Sequence, residues 1–144
     1  MSEVSADLGR RMRARQGGRV GQSVFRVRVA RAFGKTPVAV ETLTFLFTDI
    51  EGSTALYERV GAVFRSALAM HHALLRAEVE RAGGQMLRDT GDGVVAAFSD
   101  PARATVCAVA AQEALERAEW PPETGPLRVR MGVHRGPAVF EDGD

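Results

Sequence analysis

The chain has 144 residues, and its 45% hydrophobic and 26% charged residues are typical of a globular domain that buries a single core. A net charge of +1 excludes a function that depends on bulk electrostatic attraction to a partner. Cys107 is the single cysteine, so an intrachain disulfide is excluded and a small buried hydrophobe is expected. No apolar run approaches the roughly 18 residues of a membrane span, and the N-terminus lacks the apolar core of a secretory signal. We therefore expect a cytoplasmic protein without a membrane partner.

Residues 1–38 are predicted to form a basic, flexible N-terminal arm. Positions 1–37 contain nine basic residues and only two acidic ones. A weak alternation over Val24–Val29 is compatible with a short strand. An alternative is a patch that binds nucleic acid or anionic lipid. Phe25 and Phe33 are the only aromatic residues of the arm, which argues against a nucleic-acid partner bound by base stacking.

The patterned part of the chain, residues 39–144, begins with a strand. The β-branched and aromatic segment Thr42–Thr48 is nearly all apolar and predicts a central strand. The next residues form a turn, in which Ser53 or Thr54 is predicted to cap a short helix that ends near Val60. Apolar residues at steps of three and four then predict a second helix, which ends at the Gly83-Gly84 pair.

The second half of the chain continues with a hairpin, a helix and a strand. Gln85–Asp89 and Gly93–Phe98 are predicted strands joined by a tight turn. Asp100 caps a helix that runs to about Ala118. The segment 127–133 alternates as a strand, and a further strand is predicted to begin at 137–140. The order predicts an α+β, ferredoxin-like βαββαβ fold, an antiparallel sheet with its helices on one face.

This topology is expected to bring two aspartates together. The first strand lies beside the third and antiparallel to it, so Asp49 at the end of one strand is next to the turn that contains Asp92. Paired carboxylates suit a hard divalent cation that keeps positions open for phosphate oxygens. The backbone N–H groups of 50–54, at the start of a helix, are suited to bind phosphate. In outline, this is a site for a nucleotide polyphosphate.

Simpler interpretations of the same residues remain open from the pattern alone. Asp92-Gly93 is also the dipeptide that a tight hairpin turn favours for backbone reasons. Asp49 is compatible with a capping residue or with a phosphoacceptor, and 52–54 with an ordinary loop.

Three motifs in this order resemble the catalytic domain of class III adenylate and guanylate cyclases. They are Phe47–Thr54, the Gly91-Asp92-Gly93 turn with the apolar strand to Phe98, and Met131–Gly136. The resemblance runs from about Thr42 to the end of the chain. Because three separate motifs match near the family's spacing, this signal is far more specific than any one of them.

The resemblance implies a phosphorus–oxygen lyase in intracellular signalling. Its reaction converts a nucleoside triphosphate, ATP in preference to GTP, to the 3′,5′-cyclic monophosphate and pyrophosphate. Asp49 and Asp92 are the implied catalytic residues and bind two Mg²⁺ or Mn²⁺ ions, with the carbonyl of Ile50 as a further ligand. The implied substrate-binding residues are Ile50, Gly52, Ser53, Thr54 and Arg88. The family acts as a dimer, which implies a homodimer or a heterodimer with a complete cyclase domain.

The sequence departs from the family pattern in two places. Four residues before Asp92, adenylate cyclases commonly have a lysine that reads adenine, whereas this chain has Arg88, whose forked donor is not equivalent. Arg88 is also compatible with a solvent-facing strand residue. After Asp144 the family continues into a helix that supplies an asparagine for the ribose and an arginine for the transition state. We therefore expect this chain alone to have weak activity or none.

Two other functions are compatible with the sequence. One is a non-catalytic domain that binds a metal–nucleotide complex or regulates a partner through Asp49 and Asp92. The other is nucleic-acid binding through the basic arm. His71 and His72 are adjacent on one helix and point in different directions, so a zinc pair is not expected there. His71 is predicted to be a core histidine with its hydrogen bonds satisfied.

Overall fold

The structure is a computed structural model that describes residues 25–29 and 40–142, with side chains described over 41–139. Five strands and three helices follow one another along the described chain. They are β1 Phe25–Val29, β2 Val40–Ile50, α1 Ser53–Val60, α2 Ala62–Arg81, β3 Gln85–Asp89, β4 Val94–Phe98, α3 Pro101–Arg117 and β5 Val129–Asp142. Within this part of the chain, no helix has the length and apolar character needed to cross a membrane.

The strands form one sheet in the order β1-β5-β2-β4-β3. The last four strands of this order pair antiparallel throughout, and β1 joins the outer side of β5 as a parallel strand. The α+β, ferredoxin-like arrangement is therefore confirmed, with β2 at the centre of the sheet. This topology sets the C-terminal end of β2 beside the β3–β4 turn.

β1 comes from the segment that the sequence predicted to be a flexible arm. Its five residues confirm the short strand indicated by the alternation over Val24–Val29, and Phe25 pairs with Ala138 of β5. Within 1–38, the structure describes only residues 25–29. The arm and its boundary at residue 38 therefore stay predictions.

β5 is a single strand, whereas the sequence predicted two strands over 127–133 and 137–140. It pairs with β2 along eleven consecutive positions, from Ile50 opposite Val129 to Val40 opposite Val139. The length of β2 supports one long β5, because each further residue of β5 can pair with a residue of β2 through backbone hydrogen bonds. Pro137 lies within this strand, opposite Thr42 of β2 and just before Ala138, where the described pairing with β1 starts.

Two apolar clusters form the core between the sheet and the helices, and the partly buried Met86 and Met131 pack against both. Leu46, Val94 and Phe98 of the sheet are buried against the inward faces of α2 and α3. The predicted α2 periodicity is confirmed, since Phe64 and Leu75 lie on its buried face. Asp100 accepts a hydrogen bond from the Ala102 N–H and caps α3 as predicted. The opposite face of the sheet carries a smaller buried cluster made of Leu43, Phe45, Ala97 and Ala138.

His71 is buried in the core, but its predicted hydrogen bonds are absent. Neither ring nitrogen has a hydrogen-bond partner among the described residues. Burial in apolar surroundings, and the neighbouring His72, lower the pKa of His71 to about 4. The prediction of a satisfied histidine was wrong, and the ring is held in the core as a neutral group.

Candidate functional site

The structure brings Asp49, at the C-terminal end of β2, next to the β3–β4 turn that contains Asp92, as the topology predicted. The N–H of Ile50 donates to the backbone carbonyl of Asp92 over 2.9 Å. Two residues after Asp92, at the start of β4, the N–H of Val94 donates to the side-chain oxygen of Thr48 over 2.9 Å. These two bonds fix the end of β2 against the β3–β4 turn on either side of Asp49.

Gly93 is required by close packing. A Cβ at Gly93 would lie 1.9 Å from the carbonyl oxygen of Thr48, well inside van der Waals contact. The positive φ of this turn belongs to Gly91, at +93°, and not to Gly93. The alternative explained Gly93 by the backbone conformation of a tight turn. That reason was wrong, because Gly93 is needed for close packing and not for a positive φ. Gly93 lets the turn approach β2 closely enough for the Asp92 carbonyl to accept the Ile50 N–H.

α1 begins at Ser53, so the predicted cap by Ser53 or Thr54 was wrong. The N-cap is Gly52, which adopts a left-handed conformation with φ of +68° and provides no side-chain cap. The Ser53 hydroxyl is used differently, since it donates to Asp92 Oδ2 over 2.7 Å. The reason is positional: as the first helical residue, Ser53 faces the β3–β4 turn.

The start of α1 leaves backbone donors exposed to the site. The first bond of the helix runs from the Leu56 N–H to the Gly52 carbonyl. The N–H groups of Ser53, Thr54 and Ala55 precede it and have no helical acceptor. Thr54 is exposed, and its side chain contributes no cap. The three N–H groups lie in the segment that the sequence predicted as a cradle for phosphate oxygens, and phosphate binding there stays a prediction.

Asp49 forms an ion pair with Arg130, a residue that the sequence analysis did not single out. The two residues are register partners across β2 and β5, and Arg130 Nη2 donates to Asp49 Oδ2. A second pair lies beside it, with Arg128 Nε 3.5 Å from Glu51 Oε2. The hydrogen bond to Asp49, reinforced by the charges of Asp49, Glu51 and Asp92, raises the pKa of Arg130.

A signal for this pair was present in the sequence. The alternating segment 127–133 places Arg128 and Arg130 on one face of a strand. The ferredoxin-like order also places that strand beside the one that ends in Asp49. What was lacking was the register, which decides that Arg130 and Asp49 are directly opposite each other.

Arg88 lies on β3, at the edge of the sheet, and its side chain is exposed. It pairs with Val95 next to an irregularity between Met86 and Arg88. β4 separates it from β2, and its side chain forms no hydrogen bond or ion pair with the other described residues. The solvent-facing interpretation describes Arg88 in this structure, and a base-reading role stays a prediction.

The donors of the site fit a hard divalent cation. Asp49 and Asp92 offer carboxylate oxygens, and Ile50 adds a backbone carbonyl between them in the chain. Within the described residues, no group of three or more histidine, cysteine or acidic side chains is arranged to hold a metal ion. Carboxylate and carbonyl oxygens are the ligands that Mg²⁺ takes alongside water and phosphate oxygens.

The fold and the site define the class of protein: a ferredoxin-like α+β domain with two aspartates and the start of a helix at its strand ends. The family of adenylate and guanylate cyclase catalytic domains matches residues 36–142. The chain therefore belongs to this family, and the resemblance seen in its three motifs is confirmed.

Individual relatives agree with this assignment. An adenylate cyclase of Lachancea kluyveri is 32% identical over 69% of this chain, and one of Neurospora crassa is 27% identical over 97%. The chain spans only 6% and 7% of these two proteins. Among solved structures, adenylate cyclases from Trypanosoma brucei in their monomeric state superimpose with a TM-score of 0.61 at 27% identity. That similarity covers 66% of this chain and 56% of the other.

Proposed function

We propose that this chain provides the metal-binding half of a nucleotide cyclase site. The reaction is the conversion of a nucleoside triphosphate to its 3′,5′-cyclic monophosphate and pyrophosphate. The observation that carries the proposal is the hydrogen bond from the Ile50 N–H to the Asp92 carbonyl, which holds Asp49 and Asp92 at one strand end. The cradle at the start of α1 adds donors for the phosphate oxygens.

Each residue has a defined task in this proposal. Asp49 and Asp92, with the Ile50 carbonyl, hold two Mg²⁺ or Mn²⁺ ions. When bound, such ions lower the pKa of the ribose 3′-hydroxyl and neutralise the charge of the leaving pyrophosphate. The Ser53 hydroxyl orients the Asp92 carboxylate, and the N–H groups of 53–55 bind phosphate oxygens. The chain contributes mainly positioning and charge, which is what phosphoryl chemistry requires.

ATP is the proposed substrate in preference to GTP. The relatives from Lachancea kluyveri and Neurospora crassa carry the name adenylate cyclase. Arg88 is the proposed base-reading residue, and its exposed side chain is free of described ion pairs. A guanidinium presents donors only and is not equivalent to the lysine of adenylate cyclases, so the ATP preference rests on the names of the relatives and not on Arg88.

The proposed partner is a second cyclase domain, either another copy of this chain or a complete domain. In a mixed dimer this chain would supply Asp49 and Asp92, and the partner would supply groups for the ribose and for the transition state. The cytoplasmic location stays a prediction from the composition.

The test is cyclic nucleotide formation from ATP and from GTP with Mn²⁺. The chain is assayed alone and mixed with a complete cyclase domain whose own metal-binding aspartates have been replaced. We expect product in the mixture, and a loss of at least about 100-fold on Asp49→Ala or Asp92→Ala. Glu116→Gln removes an exposed carboxylate of α3 and serves as the control that retains activity. A folded chain that yields no product in either format contradicts the proposal.

One observation favours a second candidate, a domain that binds metal and nucleotide without turnover. Arg130 pairs with Asp49, so a positive charge already lies beside that carboxylate in this structure. Binding of ATP with Mn²⁺ that depends on Asp92, without product in the mixed assay, would support this function over catalysis.

A further inference from the structure

Arg130 stands where a cation bound to Asp49 would place its own positive charge. Its guanidinium donates to Asp49 Oδ2 and lies in the combined field of Asp49, Glu51 and Asp92. The contact is determined by the backbone, because Arg130 and Asp49 are register partners in a ladder of eleven pairs. The two side chains therefore meet as a consequence of the sheet itself.

A guanidinium and a divalent cation compete for the same carboxylate. Arg130 occupies Oδ2 of Asp49, one of the two oxygens that a metal ion could use, and its fixed positive charge repels the ion. Ser53 makes a different kind of contact with Asp92. Its hydroxyl is neutral, and it occupies one oxygen of that carboxylate without adding charge.

Both partners of the ion pair are accessible enough to separate. The side chain of Arg130 is 68% exposed and that of Asp49 is 44% exposed. Ion pairs at such positions are weak, because water solvates both partners once they part. An exchange of the guanidinium for a cation therefore requires a side-chain rotation and no change of the sheet.

We propose that Arg130 is a built-in competitor for the cation at Asp49. Cation binding displaces the guanidinium, and the strength of the Arg130–Asp49 pair sets the cation affinity of the chain. This inference rests on the proposed function in one respect, since it takes Asp49 as a cation ligand. It adds an exchange step that the carboxylate pair by itself does not contain.

The chain offers a matched control in Arg128. It lies two residues away on the same strand and carries the same charge, but it faces Glu51 at 3.5 Å and not Asp49. Arg130→Met and Arg128→Met therefore remove equal charge from neighbouring positions. A general electrostatic effect would appear in both variants, whereas an exchange at Asp49 would appear only in the first.

The experiment is Mn²⁺ binding to the full chain, followed by the electron paramagnetic resonance of the free ion, with no enzymatic assay. We expect Arg130→Met to tighten Mn²⁺ binding about five- to tenfold, and Arg128→Met to change it by about twofold or less. Arg130→Lys, which keeps the charge, is expected to stay close to wild type. Equal tightening in both methionine variants, or weaker binding in Arg130→Met, overturns the exchange.

A second readout follows the arginine directly. In nitrogen NMR spectra, titration with diamagnetic Mg²⁺ should move the Arg130 side-chain signal towards its position in Asp49→Asn, where the ion pair is already lost. A signal that does not move while Mg²⁺ binds overturns the exchange.

The two proposals fail in different ways. If a folded wild-type chain and Arg130→Met both bind no Mn²⁺ at millimolar concentrations, the metal site and the proposed function fall together. If Asp49→Asn abolishes binding while Arg130→Met equals wild type, the metal site stands and only the exchange is wrong.

Discussion

Ser53 donates a hydrogen bond from its hydroxyl to Asp92 Oδ2 over 2.7 Å, although 39 residues separate the two in the chain. This bond links the first residue of α1 to the β3–β4 turn. It orients one of the two carboxylates at the candidate site and leaves the backbone donors of α1 free. The helix start and the carboxylate pair therefore act as one unit.

Removing this hydroxyl should weaken cation binding without unfolding the chain. We expect Ser53→Ala to lower Mn²⁺ affinity about threefold to tenfold, because the carboxylate loses a donor that fixes its rotamer. Calorimetric titration with Mn²⁺ measures the effect. Ser53→Thr keeps a hydroxyl and should restore most of the affinity, and equal losses in both variants would contradict an orienting role.

Gly93 should not tolerate any side chain. Gly93→Ala places a Cβ 1.9 Å from the Thr48 carbonyl, so the turn must move away from β2. We expect the free energy of unfolding to fall by about 2–4 kcal/mol, measured by urea denaturation. Gly132→Ala is the matched control, because a Cβ at Gly132 meets nothing within 4 Å. Similar losses in the two variants would show that close packing is not the cause.

The buried His71 should make the chain less stable in mild acid. Its pKa is about 4 in the folded state and near 6.5 in the unfolded chain, so the unfolded chain binds more protons between these values. Stability is therefore complete above about pH 6.5 and is lost as the pH falls towards 4. We expect a loss of about 2 kcal/mol over this window, measured by urea denaturation at successive pH values.

The matched variant for this effect is His71→Leu, which removes the titrating group and fills similar space. Its stability should vary less with pH between 4 and 6.5 than that of wild type. An unchanged slope would assign the acid sensitivity to other groups.

Asp89 should stabilise the turn that presents Asp92. Its Oδ1 accepts the Gly91 N–H over 2.8 Å, and its Oδ2 lies 3.1 Å from Nδ1 of His72 on α2. We expect Asp89→Ala to lower the free energy of unfolding by about 1 kcal/mol and to speed amide hydrogen exchange over 89–93. Asp89→Asn keeps an acceptor for Gly91 and should be milder. Unchanged exchange in the alanine variant would show that the turn holds its shape without Asp89.

The sequence by itself determined most of the local elements and their order. The step of three and four in α2, the Asp100 cap and the alternation near β5 are decided by neighbouring residues, so they can be recognised one segment at a time. The order of those elements then implied the ferredoxin-like sheet, which in turn implied that Asp49 and Asp92 meet. This step succeeded because few sheet topologies can accommodate a βαββαβ order.

Only the tertiary structure decided which side chains meet at the site. The pairing of Arg130 with Asp49 depends on the register of β5 against β2, and a shift of one residue would move Arg130 to the other face. The use of Ser53 as a donor to Asp92, and of Gly93 as a point of close approach, depends equally on how distant segments pack. Local sequence patterns do not predict these contacts, because each one joins residues that are far apart in the chain.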